Sequence, residues 1–346
     1  MTLLSVIIFI AAISILIIVH ELGHFGAARF FKLKVEEFGI GFPPRLFKKK
    51  GKETIYSINA IPLGGFVRLY GEGGLEKEEI TEPERSFRHQ KAWKRAIILA
   101  AGVVMNFIVG WLLLSTIFMV GLPQAMFVGD VSPQSPAAEA GIKKGDLIVG
   151  EYKNAEAFIE YIKANEGKEL TLTINRHGDT FEVKAIPRVN PPEGEGRLGL
   201  IPIPIGVEKE GSIFKGLAEG GKTAIGMSFE IVNILGDIAK GLFMGNVKPL
   251  FEVSGPVGII GLLGTAGSLG GLYLLQFLAV ISLNLAVFNI LPLPALDGGR
   301  LLFIIIEKIK GSPVKHVVEN MANAIGFAVL ILFMLVITIK DITNLF

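Results

Sequence analysis

The chain contains no cysteine. Disulfides and thiolate-ligated metal sites are therefore excluded, and cysteine usage carries no information on the redox environment. Charge is scarce as well: 19% of the residues are Asp, Glu, Lys or Arg, against about 25% in soluble domains. The formal net charge is only +2, which gives no support for a nucleic-acid partner. Histidine is rarer still, with five in 346 residues. Any metal site must be assembled from those few imidazoles and from carboxylates.

What the chain has in excess is apolar surface. Hydrophobic residues make up 51% of it and the mean hydropathy is +0.55, as in a membrane protein. A spanning helix needs about 20 mostly apolar residues, and four stretches qualify: 3–19, whose apolar character continues past His24 to Phe31, then 96–120, 269–291 and 322–339. The first lacks a basic start and an obvious cleavage site, so it reads as a span and not as a signal peptide. The last two carry Asn284, Asn289 and Asn323, side chains that an ordinary lipid-facing helix would not choose. Basic segments at 45–52 and 85–95, and Arg300, Lys308, Lys310 and Lys315, lie between spans one and two and between three and four. The positive-inside rule places both loops in the cytoplasm, and the termini and the long segment between spans two and three outside.

Residues 35–70 are too rich in Gly, Pro and alternating residues for a helix. The segments 54–58 and 66–70 predict a small β-hairpin, which can dip into the membrane if it is buried in protein or lines a wet cavity. From 123 to 187 the composition becomes soluble. Residues 135–142 lead into Gly145-Asp146-Leu147-Ile148, an amphipathic helix is predicted over 155–165, and strands over 169–176 and 180–186 flank a His177-Gly178-Asp179 turn. This arrangement resembles a PDZ domain of the bacterial protease type, with Gly150-Glu151-Tyr152-Lys153-Asn154 as an abbreviated joint. Peptide binding and a purely steric role are both open for it. Residues 190–196 form a linker by composition. Residues 212–244 predict a helix, either lying on the outer membrane surface or packed on the bundle.

The chemistry centres on His20-Glu21-Leu22-Gly23-His24. On a helix, residues four apart share a face, so both imidazoles reach one zinc ion, with Glu21 beside them to take a proton from water. Three protein ligands leave a position for that water. The motif comes directly after an apolar run, and a carboxylate near the middle of a spanning helix costs about 2.5–3.5 kcal/mol. The alternative, a span that ends at Val19, is weakened by the apolar residues between Leu22 and Phe31. For the third ligand, His89 and His177 lie in loops of opposite expected sidedness and His316 sits among lysines. Asp297 is the better candidate: it ends the run 289–299, where Pro292 and Pro294 open the helix and a glycine pair allows close approach. A helix cap before a cytoplasmic loop is the other use of such an aspartate.

These features together resemble the site-2 protease family of intramembrane zinc metalloproteases (the peptidase M50 type), in its bacterial regulator of sigma-E protease branch. The resemblance rests on HELGH at 20–24, GIGFPPRLF at 39–47, IPLGGFVRLYGE at 61–72, AGVVMNF at 101–107, the 135–148 segment, SGPVGI at 254–259 and NILPLPALDGG at 289–299. It implies Zn2+ held by His20, His24 and Asp297, with Glu21 as catalytic base. It also implies substrate contacts by Asn289 and Asn284, by Pro292 and Pro294 in the same motif, and by Gly65 and Asn106, and a membrane-reentrant β-element over 39–70 whose edge pairs with an unwound substrate. Single-span membrane proteins of the anti-sigma-factor or signal-peptide-remnant type are the substrates it implies. The location it implies is the bacterial cytoplasmic (inner) membrane, with the PDZ-like domain outside and the active site toward the cytoplasm. Two departures stand out: the family's usual Gly-Pro appears as Gly102-Val103, and one PDZ-like domain is evident where better-known relatives have two.

The expected fold class is an α-helical polytopic membrane protein with four transmembrane helices, a membrane-reentrant β-element and one inserted α+β PDZ-like domain. Its divisions are a first span with HExxH (1–34), the β-element (35–71), a cytoplasmic loop (72–95), a second span (96–121) and the PDZ-like domain (122–190). A linker with an amphipathic segment (191–255), a third transmembrane region (256–299), a second cytoplasmic loop (300–317) and a fourth span (318–346) complete it. A non-proteolytic adaptor with a structural metal is the rival from another class, and it leaves Glu21 without a purpose. A metal-handling membrane protein would need several polar sites along a path.

Overall fold

The computed structural model describes residues 3–72, 80–150, 152, 154–176, 179–246 and 253–343. The expected turn at His177-Gly178, two of the five joint residues (Glu151 and Lys153), and residues 73–79 of the first cytoplasmic loop lie outside the described residues. The chain divides into two compact units, one of residues 1–112, 222–261 and 278–346, the other of 113–221 and 262–277. Among the described residues, four helices are long and apolar enough to cross a membrane: Ser5–Phe30, Ala92–Val120, Gly271–Ile290 and Val317–Thr343. These match the four apolar runs, and helices satisfy every backbone polar group internally where no water is at hand.

In the first unit, α1 (Leu3–Phe30) runs into a sheet of two long strands, β1 (Val35–Lys50) and β2 (Ile55–Leu69). Both strands bend, so that Phe38 lies opposite both Val67 and Tyr56, and Lys49 also lies opposite Tyr56. Four short segments result, in the order 65–69, 35–40, 55–59 and 45–50. Gly41 makes the bend possible: its φ is +77° and a Cβ there would sit 2.5 Å from the Ile61 carbonyl. Glu37 holds the segments together. Its carboxylate is 1% exposed and accepts from Ser57 at 2.7 Å, from Arg45 at 2.7 Å and from Arg68 at 2.9 Å, so one buried anion ties both edges to the centre. The far end of the hairpin lies against α1, where Ser14 Oγ donates to the Pro62 carbonyl at 2.6 Å.

After α2 (Ala92–Val120) and the segments of the second unit, the chain forms α5 (Ile213–Phe243), α6 (Pro256–Leu269), α7 (Gly271–Ile290), α8 (Asp297–Lys310) and α9 (His316–Thr343). Residues 256–299, expected as the third transmembrane region, thus comprise α6, α7 and the first residues of α8, and α7 is the candidate span among them. Gly270 separates α6 from α7 with φ +124°, a conformation that side chains other than glycine rarely adopt. Pro292 and Pro294 keep α7 from running on into α8. The SGPVGI segment opens α6, whose Gly258 N–H donates to Asp341 of α9 at 2.8 Å.

The second unit is built on a five-stranded antiparallel sheet in the order β6-β5-β4-β3-β7. Its strands are β3 (Leu122–Val131), β4 (Leu147–Val149), β5 (Leu170–Arg176), β6 (Asp179–Ala185) and β7 (Leu200–Val207). Met126, Ile148, Phe158, Leu172 and Ile174 lie in its core. Helix α3 (Pro136–Glu139) is capped by Ser135, and α4 (Ala155–Ala164) by Asn154, which accepts from Ala157 N–H at 2.8 Å. Asp146 of the Gly-Asp motif is buried, accepting from Lys143 N–H and bridging to Arg176 Nε at 2.6 Å.

This unit does not end at 190, because the sheet takes in β7 from the expected linker. Pro202 and Pro204 break the alternation of donors and argue against a strand, yet an edge strand tolerates them. The Val128 N–H and C=O both bond toward the turn before β4, to Asp146 and Gly145. Alternation then aims Ala125 and Phe127 at β7, where they face Ile205 and Ile203. Pro202 and Pro204 consequently point to the free edge.

Candidate metal centre and active site

The last turns of α1 carry His20 and His24 on one face. They meet Asp297, the first residue of α8. His20 Nε2 lies 2.9 Å from Asp297 Oδ2, His24 Nε2 lies 3.2 Å from the same oxygen, and the two Nε2 atoms are 3.1 Å apart. Among the described residues these three form the one group of histidine and carboxylate side chains able to hold a metal ion. The triangle fits zinc: ligand atoms about 2.0–2.2 Å from the ion in tetrahedral array lie about 3.3 Å apart. Both imidazoles are nearly buried, at 7% and 8% exposure.

The surroundings prepare the two nitrogens for a metal. His24 Nδ1 donates to the Ile98 carbonyl at 2.8 Å, which keeps the proton on Nδ1 and leaves the Nε2 lone pair free. Asn106 of α2 is completely buried, with its amide nitrogen 3.4 Å from His20 Nδ1 and its Oδ1 without a hydrogen-bond partner. Turning the amide over places Oδ1 where it accepts the His20 Nδ1–H, and His20 Nε2 is then free in the same way. Ser282 of α7 anchors the same residue by donating to its backbone carbonyl at 2.7 Å.

Two glycines admit this packing. A Cβ on Gly23 would lie 2.3 Å from the Ala101 carbonyl, and one on Gly102 would lie 2.5 Å from His24 Nε2 and 2.7 Å from His20 Nε2. Gly102 forms the floor of the metal cradle. In the sequence it stands out only as half of the departure from Gly-Pro, and residue type alone carries no signal of its proximity to the histidines.

Glu21 borders a cavity of about 150 Å3 whose lining includes His24, Val67, Glu72, Asp297 and Arg300. Its carboxylate faces the Val67 backbone N–H on the 65–69 edge segment. Gly65 is buried there, and a Cβ on it would come within 3.8 Å of Glu21. An ion pair between Arg300 and Glu72, with Arg300 over the Phe87 ring, forms part of the cavity's polar wall. Glu72 closes the IPLGGFVRLYGE stretch and Arg300 follows the glycine pair, but no local pattern announces their partnership, because it joins residues distant in sequence. An apolar groove of about 370 Å3 lies between α1 and the hairpin, lined by Leu22, Phe25, Phe38, Tyr56 and Ile58 among others.

The remaining residues implied by the resemblance are placed less uniformly. Asn289 stands half-buried in the last turn of α7, Pro292 is exposed and Pro294 half-buried in the loop after it. Asn284 spends its amide on the Val280 carbonyl one turn back, at 2.9 Å. Asn106, expected as a substrate contact, has no exposed surface and faces His20, so its contact is with the metal-site histidine. The Asp297 position depends on its glycine pair: a Cβ on Gly298 would lie 2.1 Å from the Leu291 carbonyl, and one on Gly299 2.2 Å from that of Leu293. His89 is bonded to Ser86 away from the triad.

A family model described as peptidase family M50 matches residues 8–333. A putative zinc metalloprotease of Clostridium acetobutylicum is 35% identical over 349 aligned residues, covering 99% of this chain and 98% of the relative. Zinc metalloprotease RasP of Geobacillus kaustophilus is 33% identical, covering 100% and 99%. The regulator of sigma-W protease RasP of Bacillus subtilis is 29% identical, covering 99% of both. The alignment with the Geobacillus protein runs to 430 residues, more than this chain's 346, so that relative carries sequence that this chain lacks. With the family model spanning nearly its whole length, the chain belongs to peptidase family M50.

Proposed function

We propose that this zinc metalloprotease hydrolyses peptide bonds within the transmembrane segments of single-span membrane proteins, with His20, His24 and Asp297 as zinc ligands and Glu21 as general base. The observation that carries the proposal is the convergence of the three ligand atoms within 3.2 Å, beside Glu21, on a helix apolar enough to span a membrane. Zinc, when bound, polarises the scissile carbonyl and acidifies water. Glu21 takes the proton from the attacking water and returns it to the leaving amine. A helical peptide bond has its carbonyl already engaged, so the substrate must unwind first. The 65–69 edge segment, aligned with Glu21 through Val67, offers a backbone to receive the extended strand. Gly65 keeps that approach close, and Asn284, Asn289, Pro292 and Pro294, on α7 and the loop that follows it, are taken as further substrate contacts.

The hairpin is proposed to re-enter the membrane. Its contact with Ser14 lies six residues, about 9 Å of helix, before His20 in the apolar part of α1. The second unit is proposed as a PDZ-like domain outside the bacterial cytoplasmic membrane, with a steric role. Its groove between α4 and β7 is closed to ordinary strand addition, since Pro202 and Pro204 offer no N–H at the free edge. The relative named for sigma-W regulation supports substrates of the anti-sigma-factor class and a place in regulated intramembrane proteolysis.

The test compares the wild-type chain with Glu21→Gln in detergent on a model single-span substrate. Cleavage should fall by about 10²–10⁴-fold while zinc stays near one per chain. Undiminished cleavage by the variant refutes the protease assignment. An adaptor with a structural metal has no use for a base between its ligands.

A further inference from the structure

Asn323 is a polar residue of α9 for which the proposed chemistry has no use. Its Oδ1 accepts the backbone N–H of Ala295 at 3.0 Å. Ala295 is one of three described non-glycine residues with positive φ, at +76°, a conformation that L residues keep only where the surroundings hold them in it. Three residues further along the same helix face, Gly326 admits the loop: a Cβ there would sit 2.5 Å from the Pro294 carbonyl and 2.7 Å from Pro294 Cβ. Asn323 and Gly326 together form a seat for Pro294-Ala295.

The seat matters because the chain passes from it directly to the metal triangle. Leu296 is extended, its side chain gives α8 no cap, and Asp297 begins the helix. The prolines set φ at two positions, but the loop's own side chains supply no hydrogen bond to the turn, whose internal bonds run from Leu293 N–H to the Leu291 carbonyl and from Leu296 N–H to that of Leu293. Helix α9 is otherwise little engaged: 6% of its apolar window is buried, against 22–33% for the other three candidate spans. Its hydrogen bond to Ala295 is thus a local grip on the active-site loop from a loosely packed helix.

We infer that Asn323 is a positioning residue, which holds Ala295 in its left-handed conformation and thereby sets Asp297, two residues on, at the metal. The inference rests on the reading of Asp297 as a zinc ligand. Without the acceptor, Ala295 relaxes toward negative φ and carries Asp297 out of the triangle.

The experiment measures zinc release from the full-length protein in detergent, driven by excess chelator, together with kcat and KM. Asn323→Leu keeps the side-chain shape and suits an apolar helix but removes the acceptor; Asn323→Ala serves in its place if the leucine variant does not accumulate. The expected result is zinc release about tenfold faster, as for one lost hydrogen bond, with kcat lowered and KM unchanged. Glycine adopts positive φ without a Cβ penalty, so adding Ala295→Gly should bring zinc release back to within about threefold of wild type. A defect from general loosening of α9 would not be rescued in that way. Wild-type zinc retention in the Asn323 variant, or absence of rescue by Ala295→Gly, overturns the inference. Asp297→Ala separates the two readings: if that variant retains zinc, the ligand assignment itself fails.

Discussion

Gly102→Ala adds one methyl group, yet it should empty the metal site. The added Cβ falls 2.5 Å from His24 Nε2 and 2.7 Å from His20 Nε2, where ordinary contact begins at 3.4 Å. Relief requires an imidazole to retreat by roughly 0.9 Å, several times the tolerance of about 0.2 Å on zinc–ligand distances. Neither ring can retreat freely, since His24 is tied to the Ile98 carbonyl and His20 abuts buried Asn106. Loss of one imidazole ligand from three should weaken zinc by at least about 100-fold, or about 2.7 kcal/mol. The substitution raises helix propensity by about 1 kcal/mol, so weakening of α2 itself cannot be the cause. The assay is the zinc-to-protein ratio after dialysis against a graded chelator, with thermal unfolding in parallel. Gly26→Ala, with nothing within 4 Å of its Cβ, is the matched control on α1 and should bind zinc normally. Full zinc occupancy in Gly102→Ala under chelator that strips Asp297→Ala would show that the cradle is not where the geometry puts it.

Two further expectations concern buried anions away from the metal. Removing Glu37 as Glu37→Ala leaves Arg45 and Arg68 without their shared carboxylate; with those arginines 40% and 54% exposed, the cost should sit near the low end for a broken buried pair, about 3 kcal/mol, measured by thermal unfolding. Burial alone would raise the Glu37 carboxyl, but the Ser57 hydroxyl and the Arg45 guanidinium outweigh it and hold it below its ordinary 4.5. Its contribution is therefore complete above about pH 4.5 and is lost as pH falls through the lower folded value; an acid-side slope that is identical in Glu37→Gln would contradict this. In the inserted domain, Asp146→Ala strands Arg176 and frees the Lys143 N–H, so hydrogen exchange should quicken through β4–β6 while zinc content stays unchanged. A concurrent loss of zinc would show that the domain's integrity and the metal site are not independent.

Much of the site was legible in the sequence because it obeys local rules. His20 and His24 share a helix face by spacing alone, Glu21 comes with them, and four apolar runs mark the spans through length and composition. The end of α7 was likewise readable from Pro292 and Pro294. The β7 strand was not, because two prolines mimic a linker unless the strand is known to lie at an edge. The break at Gly270 was equally hidden, since glycine is common in apolar helices and only its backbone angle separates α6 from α7.

By itself the sequence determined the chemistry available: no thiolates, few imidazoles, one HExxH on an apolar helix and an aspartate after a proline-broken span. Local periodicity and residue type suffice for that. Only the tertiary structure decided which distant groups complete it. The 3 Å triangle with Asp297, the Gly102 floor, the turn of Asn106 from expected substrate contact to support of His20, and the grip of Asn323 on Ala295 all join residues on different elements. Their partnership arises from close packing of helices in three dimensions, which no local pattern encodes.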